Sequence, residues 1–209
     1  MKVVVYVEGP ADRSTFEQVF DSWRKKNPRG ARLSFIELNG KDPLLQEVGR
    51  RAARILEDDR SNHVFAAPDL YPYRKYTDTP LAHKDAATLR AVLRRQCSSR
   101  RFHPHCLVHD LECLLLASPD GLKKVLKTTD KIEKGWTKKV ESQDHDRPPK
   151  RVVMDLFLKH RQEAYRDTID ARNVLSEVSV EQLQAKCPVG FGAFAKDLGL
   201  TLGFAPQGD

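Results

Sequence analysis

The sequence predicts an α/β fold: a parallel sheet of about four strands flanked by helices, followed by a C-terminal helical extension. Three observations lead there. Short apolar runs end at Glu8-Gly9, Asn39-Gly40, Pro68-Asp69 and His109-Asp110. Segments with apolar residues at helical spacing separate these runs, so strand and helix alternate as they do in a covered parallel sheet. After Leu126 the strand-like runs stop and helical patterns continue to the end.

The first strand is Val3, Val4, Val5, Tyr6 and Val7, which are β-branched or aromatic and as many as a buried parallel strand needs. Gly9 and Pro10 end it, and Pro10 suits the first turn of a helix carrying Phe16, Val19, Phe20 and Trp23. A second strand over 31–38 stops at Asn39-Gly40. The helix over 43–57 places Leu44, Leu45, Val48, Ala52, Ile55 and Leu56 on one face. A third strand over 63–67 ends at Pro68-Asp69, and the segment 70–80, with Tyr71, Tyr73 and Tyr76, reads as a loop. A helix over 81–96 precedes a fourth strand over 102–108. That strand enters one helical pattern bearing Leu111, Leu114, Leu115 and Leu122. Residues 128–149 are charged and poor in large apolar side chains. Helices are expected over 152–161, around Tyr165, over 180–185 and over 190–198. This divides the chain into an α/β domain, 1–127, and a helical extension, 128–209, packed on it as one unit.

Hydrophobic residues make up 40% of the 209, enough for a core. The 36 basic against 29 acidic residues leave a net charge of +7, which favours a polyanionic partner such as nucleic acid. Cys97, Cys106, Cys113 and Cys187 form no CxxC pair and read as reduced thiols. The five-residue apolar run before Glu8 is too short for a signal peptide, and no stretch approaches the roughly 18 apolar residues of a membrane span. A cytoplasmic protein is expected.

Glu8, Asp12 and Asp69 sit at the carboxyl ends of predicted strands one and three, where open α/β sheets keep their ligand crevice. Convergent carboxylates there suit Mg²⁺ or Mn²⁺ and phosphate chemistry. Asp12 at a helix start and Asp69 in a turn are also ordinary structural choices. His109, Asp110 and Glu112 leave strand four. The spacing of His109 and Glu112 puts both on one helix face, although two acids also suit a helix first turn. His103, His105, Cys106 and Cys113 match no structural zinc spacing. Arg90, Arg94, Arg95, Arg100 and Arg101, with Arg74 and Lys75 in the tyrosine-rich loop, offer a phosphate-binding track or a solvated basic face. Lys150 and Arg151, after Pro148-Pro149, lie where either could reach a phosphate.

Taken together, these motifs resemble a Toprim-like family, domain of unknown function 4276, related to nucleases of the overcoming-lysogenization-defect (OLD) group. Glu8, Gly9 and Asp12 match its EG-xx-E/D start, and Asp69-Leu70-Tyr71-Pro72 matches its D-x-Y-x-x-P-like segment in part. His109-Asp110-Leu111-Glu112-Cys113-Leu114-Leu115 matches H-E-F-E-x-LL. Pro149-Lys150-Arg151 approximates P-x-K-R, and Cys187-Pro188 approximates C-P-x-F with one residue more before Phe191. The resemblance implies a Toprim-like fold and a Mg²⁺- or Mn²⁺-dependent nuclease with Glu8, Asp12, Asp69 and Glu112 at the metal and His109 beside them. It also implies a DNA or RNA substrate and an ATPase partner in prokaryotic antiviral defence. Tyr71 stands where Toprim proteins carry a second aspartate, and Glu112 or Asp110 is expected to replace that ligand. A catalytically silent nucleic-acid-binding or regulatory subunit of an ATPase complex is the alternative.

Overall fold

The computed structural model describes residues 1–71, 74–143 and 145–205, and of Arg74 the backbone only. The expectations placed on Pro72, Tyr73 and the Arg74 side chain lie outside the described residues.

Strand β1 (Lys2–Val7) shows why the apolar run is continuous: Val3, Val5 and Val7 enter one core layer, and Val4 and Tyr6 enter another. It pairs in parallel with β2 (Arg32–Glu37) on one side and β3 (His63–Ala66) on the other. β4 (Phe102–Pro104) joins β3, so the order is β2-β1-β3-β4. Helices α1 (Pro10–Val19) and α2 (Asp21–Lys25) connect β1 to β2, while α3 (Lys41–Asp58) and α4 (Ala86–Gln96) serve the two later crossovers. Right-handed crossovers that run in opposite directions from β1 must cover opposite faces. Accordingly α1 and α2 pack with Val3 and Val5, and α3 and α4 pack with Val4 and Tyr6.

Several boundaries differ from those expected. Helix α4 starts at Ala86, not at residue 81, because the Asp85 carboxylate caps it by accepting from the Thr88 N–H at 2.8 Å. Strand β4 ends at Pro104, which has no N–H to continue the ladder. Pairing resumes past the sheet as an Asp69–Leu107 bridge, with the Leu70 N–H donating to the Leu107 carbonyl at 2.8 Å. The helical pattern after residue 109 is two helices, α5 (Glu112–Leu116) and α6 (Pro119–Leu126). Pro119 forces the break, since it disfavours helical backbone at Ser118, which adopts φ −122° and ψ 60°.

The extension folds as α7 (Pro149–Arg161), α8 (Asp167–Val174), α9 (Val180–Lys186) and α10 (Ala193–Leu202), with one π turn, Pro188–Gly192, before α10. Helix α8 begins after Tyr165 rather than around it. Phe191 and Phe194 pack against Phe16 and Phe20 of α1 and its cap, with the Phe16–Phe194 and Phe20–Phe191 centroids both 5.7 Å apart. Residues on both sides of position 127 therefore share one continuous core. Among the described residues no helix is long and apolar enough to cross a membrane.

Because Phe194 is fully buried on the sheet side of the extension, Phe194→Ala is expected to lower the stability of the whole chain by about 3–5 kcal/mol. Urea unfolding followed in the near- and far-UV should show one cooperative transition moved as a unit. Loss of the extension signal alone would contradict the shared core.

Candidate functional site

The strand order reverses between β1 and β3, and both strands carry a carboxylate just past their last residue. The Asp69 N–H donates to Glu8 Oε1 at 2.9 Å, which closes the gap between the two strand ends. The Gly9 N–H donates to Asp12 Oδ2 at 2.9 Å, turning the Asp12 side chain back from α1 toward the same point. The Gly40 N–H donates to the Glu8 carbonyl at 2.7 Å. Gly40 has φ +120°, which L side chains rarely adopt, so glycine is needed where the β2 turn meets the end of β1. The Asp69–Leu107 bridge carries the chain on to Asp110 and Glu112. The backbone N–H of Lys150, in the first turn of α7, hydrogen-bonds the Asp110 carboxylate. Lys150 Nζ lies 3.6 Å from Glu112 Oε1 and 3.5 Å from Asp167 Oδ2. Together they form a cavity of about 230 Å³ with Glu8, Asp12, Glu112, Lys150 and Asp167 in its walls.

So many carboxylates held out of water favour their neutral forms. Burial pushes Glu8 up to about 7, against the pull of Lys41 and the Asp69 N–H bond. Burial pushes Asp12 up to about 6, with the Gly9 N–H opposing. Asp110 is raised to about 7 by burial and then by Glu112. Asp69 is raised well above the usual range by burial, then by Glu8 and Asp12. Glu112, only 3% exposed, is raised by burial and lowered by Lys150. Lys41, 7% exposed, is pushed down to about 8 by burial despite Glu8 and Asp69 beside it. The amino ends of α1, α3, α7 and α8 also face this edge and offset part of the negative charge.

The donor chemistry fits a hard divalent cation. Every candidate ligand is an oxygen, and Asp110 Oδ1 is buried without a hydrogen-bond partner. Among the described residues no three His, Cys, Asp or Glu side chains form a ready-made cage. Mg²⁺ keeps several waters and uses one or two carboxylates, so Glu8 and Asp12 in the cavity wall could hold it without such a cage.

A family model described as a domain of unknown function (DUF4276) matches residues 7–199. The chain belongs to this family. No curated protein matches the sequence. Among solved structures, the C-terminal region of the Burkholderia pseudomallei OLD protein is similar at a TM-score of 0.48 and 11% identity, covering 91% of this chain and 97% of that one. The C-terminal region of the Xanthomonas campestris pv. campestris OLD protein gives 0.44 and 13%, covering 94% and 95%.

In this DUF4276 chain, Glu8, Asp12, Asp69, Asp110 and Glu112 lie near one another at one edge of the sheet. His109 is not in the cavity wall. At φ +74° its ring is turned onto Tyr71, with centroids 5.0 Å apart, and toward His145 at 5.3 Å. The basic residues divide. Arg94 donates to the Ser99 carbonyl at 2.8 Å, Arg95 to the Pro80 carbonyl at 3.3 Å, and Arg101 to the Asp59, Asn62 and Leu56 carbonyls. Arg94 and Arg101 thus close loops at the amino edge of the sheet, away from the carboxylates. Arg90 lies in α4, one turn before Arg94. Lys75 pairs with Asp42 at 2.8 Å, and Arg151 pairs with Asp155 at 3.2 Å while staying exposed. His103 and His105 hold Asp197 at 2.9 and 3.0 Å, and the four cysteines are free and buried. Lys41 and Asp167 were missed. Lys41 had a signal, since it directly follows the Asn39-Gly40 turn at a strand end. Asp167 had none, because only the packing of α8 brings it here.

Glu8 is more easily neutral in the folded chain than in the unfolded one. Its favourable contribution is therefore present at low pH and is lost as pH rises through about 7. His63, His83 and His109, lowered by burial, contribute with the opposite sign in the same window, so a difference measurement is needed. In EDTA, the stability of Glu8→Gln relative to the unsubstituted protein should rise by about 2 kcal/mol between about pH 5 and pH 8. A pH-independent difference in urea midpoints would mean that Glu8 is ionised throughout.

Proposed function

We propose that this protein is a phosphodiesterase acting on nucleic acid, dependent on Mg²⁺ or Mn²⁺, working with an ATPase partner in prokaryotic antiviral defence. The observation that carries the chemistry is the convergence of four carboxylates, Glu8, Asp12, Glu112 and Asp167, and of Lys150 on one cavity at the switch point of the sheet. The partner and the biological setting rest on the family resemblance alone. Glu8 and Asp12 would hold the cation, with Glu112 and Asp69 in support. A bound divalent ion would polarise a phosphoryl oxygen and stabilise the departing one. If Asp12 and Glu112 held the cation instead, Glu8 at the switch point would be placed to take a proton from the attacking water. Lys150, half exposed and set between Glu112 and Asp167, supplies positive charge for the phosphate. Asp110, held by the Lys150 N–H at the amino end of α7, adds negative charge beside Glu112. His109 supports the cleft from behind through its stack on Tyr71.

A second reading is a catalytically silent nucleic-acid-binding or regulatory subunit. It is favoured by Tyr71 two residues after Asp69 and by the lack of a preformed carboxylate cage among the described residues.

Cleavage of labelled DNA and RNA in Mn²⁺ separates the two. The enzyme reading expects metal-dependent cleavage that Glu8→Gln lowers by about 10²–10⁴-fold with the fold intact. Binding without cleavage by the unsubstituted protein would select the silent subunit.

The basic residues give a further expectation. Lys150→Ala and Arg151→Ala should each make the salt dependence of nucleic-acid binding shallower by about one unit. Arg94→Ala and Arg101→Ala should leave the slope unchanged, because those guanidinium groups bond backbone carbonyls at the far edge.

A further inference from the structure

We propose that Lys41 is the built-in cation of the cleft, its ammonium standing at the inner end of the carboxylate cluster so that the site takes one divalent ion and not two. The inference rests on the metal-binding reading above and adds a stoichiometry to it.

Lys41 opens α3 directly after Gly40, whose N–H is tied to the Glu8 carbonyl. Lysine is almost never this buried unless it is paired or hydrogen-bonded. Its Nζ donates to the Leu70 carbonyl at 2.8 Å and lies 5.4 Å from the centre of the Tyr76 ring. The opposite charges acting on it most strongly are those of Glu8 and Asp69. The ammonium is thus anchored from the end of β2 to the loop after β3, facing the two carboxylates that close the switch point. Lys150, at the other end, faces Glu112 and Asp167 with half its side chain in solvent.

This divides the acids into an inner pair with a buried counter-charge and an outer set with a half-exposed one. Two-ion phosphodiesterase sites hold their cations about 3.5–4 Å apart, with acidic ligands for both. Here the inner position already has a positive charge, and the side chain two residues past Asp69 is Tyr71, not a carboxylate. A second dication entering beside the ammonium would be repelled in a poorly screened interior.

A residue that merely braced the Leu70 loop would weaken metal binding when removed, whereas a resident cation strengthens it when removed. Mn²⁺ titration by electron paramagnetic resonance, without substrate, distinguishes these. The unsubstituted protein is expected to bind one ion. Lys41→Met is expected to bind Mn²⁺ about tenfold more tightly or to take a second ion. Two ions on the unsubstituted protein, or unchanged or weaker binding by Lys41→Met, would overturn the proposal.

A metal-free arm uses thermal midpoints in EDTA. Lys41→Met should lower the midpoint at least about twice as far in the native background as in Glu8→Gln, since the charge it answers is gone there. Equal drops would overturn the pairing. Folding of Glu8→Gln/Lys41→Met when Lys41→Met alone is unfolded would establish it, and failure of both to fold would make Lys41 a loop brace. If the unsubstituted protein binds no Mn²⁺, the metal reading and the one-ion count fall together. The Lys41–Glu8 pairing is then decided by the metal-free arm.

Discussion

The site depends on the Asp69 N–H to Glu8 carboxylate bond, because it joins the two strands between which the sheet reverses direction. Strand ends at a switch point normally splay and leave an open crevice. Here a half-buried hydrogen bond closes the crevice floor, and the Asp69–Leu107 bridge extends the closure past β4. The chain segments bearing Glu8, Asp69, Asp110 and Glu112 are positioned by backbone pairing rather than by side-chain preference. That is a stiff way to hold groups that repel one another.

The repulsion is answered in three ways. Backbone N–H groups of Gly9, Asp69 and Lys150 bond individual carboxylates. Helix amino ends face the cluster, and Lys41 and Lys150 stand at its two ends. These contributions leave Glu8, Asp12, Asp110 and Glu112 above their ordinary range, so the cluster retains a demand for positive charge. Carboxyls raised by burial and by like-charged neighbours cluster at functional sites. The Asp197 pair with His103 and His105 is a contrast in the same molecule: there the carboxyl is held low by its partners.

The extension is part of the same device. Helices α7 and α8 start at the carboxyl edge of the sheet and supply Lys150 and Asp167 to the cavity. Helix α8 packs on α1 and α7 on α5, while the aromatic cluster of Phe16, Phe20, Phe191 and Phe194 seats the π turn and α10 on the α1 face. The strained backbone of His109 belongs to this frame, because φ +74° lets the chain turn from the Leu107 bridge into α5 while its ring goes to Tyr71.

The α/β class, the order of the four strands along the chain and the five acids at strand exits are legible in the residues alone. Buried parallel strands must be continuous apolar runs, and their ends need Gly, Pro or polar residues, so Glu8-Gly9 and Pro68-Asp69 announce themselves. Local chemistry that competes with periodicity was harder to read: the Asp85 cap shortened α4, and Pro119 split the helix after Glu112. Which charges share the cleft follows from how the elements dock on one another. Arg94 and Arg101 look like a phosphate track in one dimension, but a helix returning to the amino edge carries them away and gives them carbonyls to bond. Asp167 and Lys41 enter for the converse reason. Their neighbours in space come from other elements, and neither hydrophobic period nor motif spacing records how α8 docks or how deeply the start of α3 is buried.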